Sequence, residues 1–101
     1  MTFRAEARDE MENAYNWYED QKAKLGEDFL DCVDNFLDCV DSTLDRIEQR
    51  PESYPCCFQD FRRAMIHRFP YVIYYRIISS RIIVIAIVHG KRDPKIWQSR
   101  K

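Results

Sequence analysis

Glycine is nearly missing from this chain: two in 101 residues, alongside four prolines. That scarcity excludes long flexible linkers, and the length predicts one domain, residues 1–101. No apolar run reaches the length of a membrane span, so no membrane partner is expected. The first fourteen residues, MTFRAEARDEMENA, carry no apolar signal-peptide core, which predicts a chain that stays in the cytosol. Histidine occurs twice, at His67 and His89. The four cysteines (Cys32, Cys39, Cys56, Cys57) form no C-x-x-C pair and no metal-type spacing with them. No metal and no cofactor is therefore expected. Cytosolic thiols stay reduced, and these four read as small apolar side chains.

What is present fits a soluble globular domain, with 46% hydrophobic and 33% charged residues. The net charge of −1 conceals a strong asymmetry. Residues 1–50 hold six basic and fourteen acidic side chains, a balance of −8; residues 51–101 hold ten and three, a balance of +7. A basic half can recruit a polyanion, or it can be matched internally by the acidic half.

Apolar residues at helical spacing (Ala7, Met11, Ala14, Tyr15, Tyr18, Leu25) predict a helix over about residues 6–25. Gly26 suits its C-cap, and Lys22 and Lys24 suit the dipole there. A second helix follows over about 27–49. Phe29, Val33, Phe36, Leu37, Val40, Leu44 and Ile47 form its apolar stripe, and Asp31, Asp34, Asp38, Asp41 and Asp45 an acidic one. With Gly26 alone between them, the two helices should form an antiparallel hairpin. Pro51 and Pro55 then stop helical structure. Strands are predicted over 61–69, 71–78 and 81–89, with a tight turn at Ser79-Ser80. The third is apolar at nearly every position and is expected to be central, covered on both faces. The expected architecture is α+β: an N-terminal antiparallel helix hairpin packed on an antiparallel three- to four-stranded sheet, with a strand stub at residues 1–3.

Arg62, Arg63, Arg68, Lys91, Arg92 and Lys95 could contact phosphate, or could form an ordinary solvated face. His67 and His89 could carry protons near neutral pH. The plainer readings are a solvent-facing strand residue for His67 and a capping residue for His89. Trp17 and Trp97 could stack on bases or serve as packing residues, with Trp97 as the anchor of a basic tail.

Several segments, in order, resemble the RelE/ParE superfamily of bacterial toxins, in the branch named for plasmid stabilisation. They are A-x-x-E from Ala7, WYE from Trp17, LG-x-x-F from Leu25, P-x-x-Y-P from Pro51, RFPY-x-I-Y-Y from Arg68 and HG-x-RDP-x-x-W from His89. The resemblance implies a type II toxin held inactive by a cognate antitoxin whose C-terminal segment wraps the sheet and hairpin. It implies one of two targets: DNA gyrase, bound without catalysis, or ribosome-bound mRNA, cut as an endonuclease. A non-toxic antitoxin-binding module is a third reading, and a homodimer or toxin–antitoxin hetero-oligomer is compatible with each. Two departures stand out. Relatives begin with a longer first strand than Met1-Thr2-Phe3. The ribosome-dependent nucleases resemble one another in a basic set on the meander, completed by a C-terminal tyrosine. Here those positions read Arg63, Met65, Val72 and Trp97, and Arg92 alone matches. The expected target-binding residues are Arg62, Arg63, Arg68, Lys91, Arg92 and Trp97, with His67, His89 and Arg92 the candidates for catalysis.

Overall fold

The computed structural model describes residues 1–25 and 30–100, with side chains for 1–21 and 36–100. Strand β1 (Thr2–Phe3) leads into helix α1 (Ala5–Leu25), and helix α2 (Leu30–Gln49) follows. The predicted cap at Gly26 with Lys22 and Lys24, the predicted start of the second helix at 27, Cys32, and the stripe positions Leu25, Phe29, Val33, Asp31 and Asp34 lie outside the described side chains. A 3-10 turn (Pro51–Ser53) precedes β2 (Cys56–Phe58), β3 (Phe61–Met65), β4 (Tyr71–Ile78), β5 (Arg81–His89) and a short helix α3 (Lys95–Gln98). The sheet order is β1-β5-β4-β3-β2, with β1 parallel to β5 and every other pair antiparallel. The α+β class and the two long helices match expectation.

Four sequence expectations need correction. The sheet has five strands rather than three or four, because the Thr2–Phe3 stub pairs with β5 and Cys56–Phe58 adds a further edge. That extra edge makes β4 the middle strand instead of β5. The strand predicted over 61–69 stops at Met65: Ile66–Pro70 form a turn, with Phe69 N–H donating to the Ile66 carbonyl (3.4 Å). Finally, Cys56 and Cys57 are exposed on the edge strand, not packed as small apolar residues.

Both faces of the sheet are covered, as the apolar run of β5 requires. On one face Ala7, Ala14 and Tyr18 of α1 and Phe36, Val40 and Ile47 of α2 pack against Ala64, Ile73, Tyr75, Val84 and Ile87. On the other, Trp97 of α3 stacks on Tyr74 (centroids 3.9 Å apart, planes at 20°) beside Phe61, Val72, Ile85, Ala86 and Val88. A β-bulge makes this allocation possible. Tyr74 pairs with Ala86 but Tyr75 pairs with Val84, so Ile85 is an extra residue and faces α3 together with Ala86. The Ser79-Ser80 turn has φ of 51° and 66°, the two left-handed residues of a type I′ hairpin.

Candidate functional site

The antiparallel register brings the β3–β4 turn and the segment after β5 to one end of the sheet. Gly90 N–H donates to the Pro70 carbonyl at 2.7 Å, and Tyr71 pairs with His89. His67, Arg68, His89, Lys91 and Arg92 therefore gather on a single rim, where all but the half-buried His89 are exposed. Arg68 holds a φ of 71°. An L-residue adopts that conformation at a steric cost, so the turn presents this cation against local preference.

The remaining expected residues are dispersed. Arg62 points to the helix face and donates to the carbonyls of Glu52 (3.1 Å) and Tyr54, pinning the segment that follows α2. Arg63 pairs with Tyr74 and shares the α3 face of the sheet. Burial raises the Tyr74 hydroxyl and the Cys57 thiol, and Arg63 opposes both rises. Trp97 is 4% exposed and belongs to the second core, not to the rim with the cations. His89 packs edge-on against Tyr71, with centroids 5.7 Å apart, on the helix side of the sheet. Its Nδ1 accepts the Lys91 N–H at 3.1 Å, a capping role as well as a position on the rim.

Four of the five positions that carry the basic set in the nuclease branch lie on the α3 face, whereas the matching Arg92 lies in the cleft beside α1. Arg63, Met65 and Val72 lie side by side in register, and Trp97 covers the neighbouring Tyr74. Apart from Arg63, their chemistry does not suit phosphate. Val72 is fully buried, Met65 is apolar and 64% exposed, and Trp97 is closed into the core. Phosphoryl chemistry needs a base, an acid and cations around one phosphate. Here Arg63 and His89 stand on opposite faces of the sheet.

A cleft of about 270 Å³ lies where α1 crosses the end of β5. Glu10, Asn13, Ala14 and Trp17 reach it from one helical face, and Tyr71, Ile87, Val88, His89 and Arg92 complete it. Trp17 is 52% exposed and touches Tyr18 edge-on at 5.0 Å. Burial raises the Tyr71 hydroxyl, and the nearby Arg92 charge opposes the rise. Glu10 was marked in the sequence only as the end of the A-x-x-E motif and Asn13 not at all; their 10-13-14-17 spacing with Trp17 was the available signal for the cleft. Glu10 forms a partly buried clasp: Arg100 grips its carboxylate at 2.8 and 3.2 Å and also donates to the Ile85 carbonyl, while the carboxylate accepts the Ile87 N–H at 3.3 Å.

A second, larger and more apolar groove, about 610 Å³, runs between β1 and the two helices. Met1, Phe3, Met11, Tyr15 and Leu37 line it, with Arg8 and Glu12 at its border. Among the described residues no cluster of three or more metal-ligating side chains occurs, and no helix is long and apolar enough to cross a membrane.

None of the curated proteins matches this chain. The family model described as the ParE toxin of the type II toxin-antitoxin system, parDE, matches residues 1–94, which takes in both helices, all five strands and the rim. A match over nearly the whole chain, on a helix-covered meander of the expected class, means that the protein belongs to the ParE toxin family of type II toxin–antitoxin systems.

Proposed function

We propose that this toxin acts by binding, as an inhibitor of DNA gyrase, and not by cutting RNA. The single observation that carries this reading is the α3 face. Where a nuclease would gather cations around a phosphate, that face has the apolar Met65, the buried Val72 and the core residue Trp97. Binding needs no such constellation. The rim of His67, Arg68, His89, Lys91 and Arg92 supplies an exposed cationic surface at one end of the molecule. A cognate antitoxin is the partner that the family implies, and we place its apolar segment in the groove of Met1, Phe3, Met11, Tyr15 and Leu37. An amphipathic helix laid into such a groove buries its apolar face there.

The test is pulsed induction of the chain in bacteria, following DNA and protein synthesis separately, with a supercoiling assay on purified gyrase alongside. DNA synthesis should stop first, and supercoiling should be inhibited. If protein synthesis stops first and mRNAs are cut within codons, the gyrase reading fails and the endonuclease reading replaces it. If neither process changes while the antitoxin still co-purifies, the chain is an antitoxin-binding module.

A further inference from the structure

We propose that the cleft between α1 and the end of β5 is a binding site for an adenosine 5′-phosphate unit, with Trp17 as stacking platform and Arg92 as phosphate ligand. The strand edge makes the case. In the β4–β5 register, Gly90 N–H bonds to Pro70 across the pair, so the backbone groups of Ile87 and His89 turn the other way, toward the cleft. Strand β1 covers only the region of Ile83 and Val84. Beyond it Glu10 takes the Ile87 N–H, and the Arg92 N–H takes the His89 carbonyl. Among the described residues nothing bonds to the Ile87 carbonyl or the His89 N–H, an acceptor and a donor two residues apart on one edge.

This window is bounded on both sides. The Glu10–Arg100 clasp blocks one end and the turn at 90–92 blocks the other. An extended peptide adding to the edge would have to run through both, whereas a compact planar ligand would not. The volume, about 270 Å³, falls just below the roughly 300–1,000 Å³ of drug-sized ligand sites, which favours a small ligand. A planar ligand that offers a donor beside an acceptor is the complement. Adenine does so, with its exocyclic amine next to N1; guanine presents an acceptor and a donor in the opposite order. Half-exposed Trp17 offers a stacking face and Arg92 a phosphate-binding fork. No other described cleft combines an aromatic face, an exposed cation and unpaired strand-edge groups.

The experiment is a ¹H–¹⁵N NMR titration of the purified chain with AMP, GMP, inorganic phosphate and a short oligoadenylate. It reads the chain directly, so its result is independent of whether gyrase is the target. AMP should produce saturable shifts at the His89 amide and the Trp17 indole while the buried Trp97 indole stays in place. GMP should bind about ten-fold more weakly, because guanine meets the two backbone groups only when turned over, which carries its phosphate away from Arg92. Arg92→Ala should weaken AMP binding by about ten-fold, the loss of one charge-assisted contact. Both Trp17 and Arg92 are exposed, so Trp17→Ala and Arg92→Ala should keep the dispersed spectrum of the parent. Equal affinity for AMP and GMP, an unmoved His89 amide, or the same shifts with phosphate alone would overturn the proposal. Tighter binding of the oligoadenylate than of AMP would keep the base site and assign its source to a single-stranded RNA.

Discussion

Tyr75 illustrates how one side chain can set a pH limit. It is fully buried, its hydroxyl donates to the Pro51 carbonyl at 2.6 Å, and burial pushes its pKa from 10 up to about 12. Folded chains therefore keep this proton over a range in which unfolded chains lose it. The stability that results is fully present below pH 10 and is lost as pH rises toward 12. Denaturant midpoints should fall across that window, and less so in Tyr75→Phe, which at neutral pH should cost about 1 kcal/mol for the lost hydrogen bond. Arg68 makes the opposite kind of prediction. Its φ of 71° penalises any side chain, so Arg68→Gly should stabilise the fold by about 1 kcal/mol while removing a rim cation. A more stable variant with weaker toxicity would assign the strain to function; unchanged toxicity would remove Arg68 from the target surface. This turn was hidden in the sequence because Met65, Ile66, His67, Arg68 and Phe69 keep the mixed apolar and basic composition of the strand before them, with neither glycine nor asparagine to mark the left-handed residue.

Elements were legible where their pattern was long. Helix α1, the β4–β5 hairpin and the anchoring of the tail by Trp97 all follow from spacing and turn chemistry. Strand β2 was not, because three residues beginning directly after Pro55 carry no periodicity. The bulge at Ile85 was equally invisible: in a strand apolar at each of Ile82 to Val88, an added residue changes no pattern. The cleft escaped notice for a related reason, since it is assembled from α1 and β5, about seventy residues apart, and no local motif reports on their meeting. The clasp between those same elements yields an element-scale prediction. Arg100 ties α1 to the segment behind the sheet through a partly buried pair with Glu10. Arg100→Ala leaves that carboxylate without its cation and should cost about 1–3 kcal/mol. Hydrogen exchange at the Ile87 amide, which Glu10 accepts, should accelerate more than exchange in β4. Uniform acceleration would mean that the clasp stabilises the whole fold and not the edge of β5.

At the scale of the molecule, charge and apolar surface are kept apart. The exposed aspartates 38, 41 and 45 run along α2, while the cations gather at the end of the sheet. The apolar groove lies against β1 and the helices. This arrangement predicts that antitoxin binding and target binding can be separated by mutation. Leu37 is 39% exposed in the groove, so Leu37→Asp should leave the melting temperature within a degree or two yet abolish co-purification with the antitoxin, the expected size for a surface change outside the core. Retained co-purification would place the antitoxin elsewhere. The same layout has a consequence in time. Strand β1 can pair only with β5, and Glu10 meets its partner ninety residues later, at Arg100. Contacts so distant in sequence close late, and a chain emerging from the ribosome at about 5–20 residues per second cannot form them until Ile83, Val84 and Arg100 have been made. The fold therefore carries a built-in delay: until those residues have emerged, the nascent chain has neither a finished sheet nor a closed clasp.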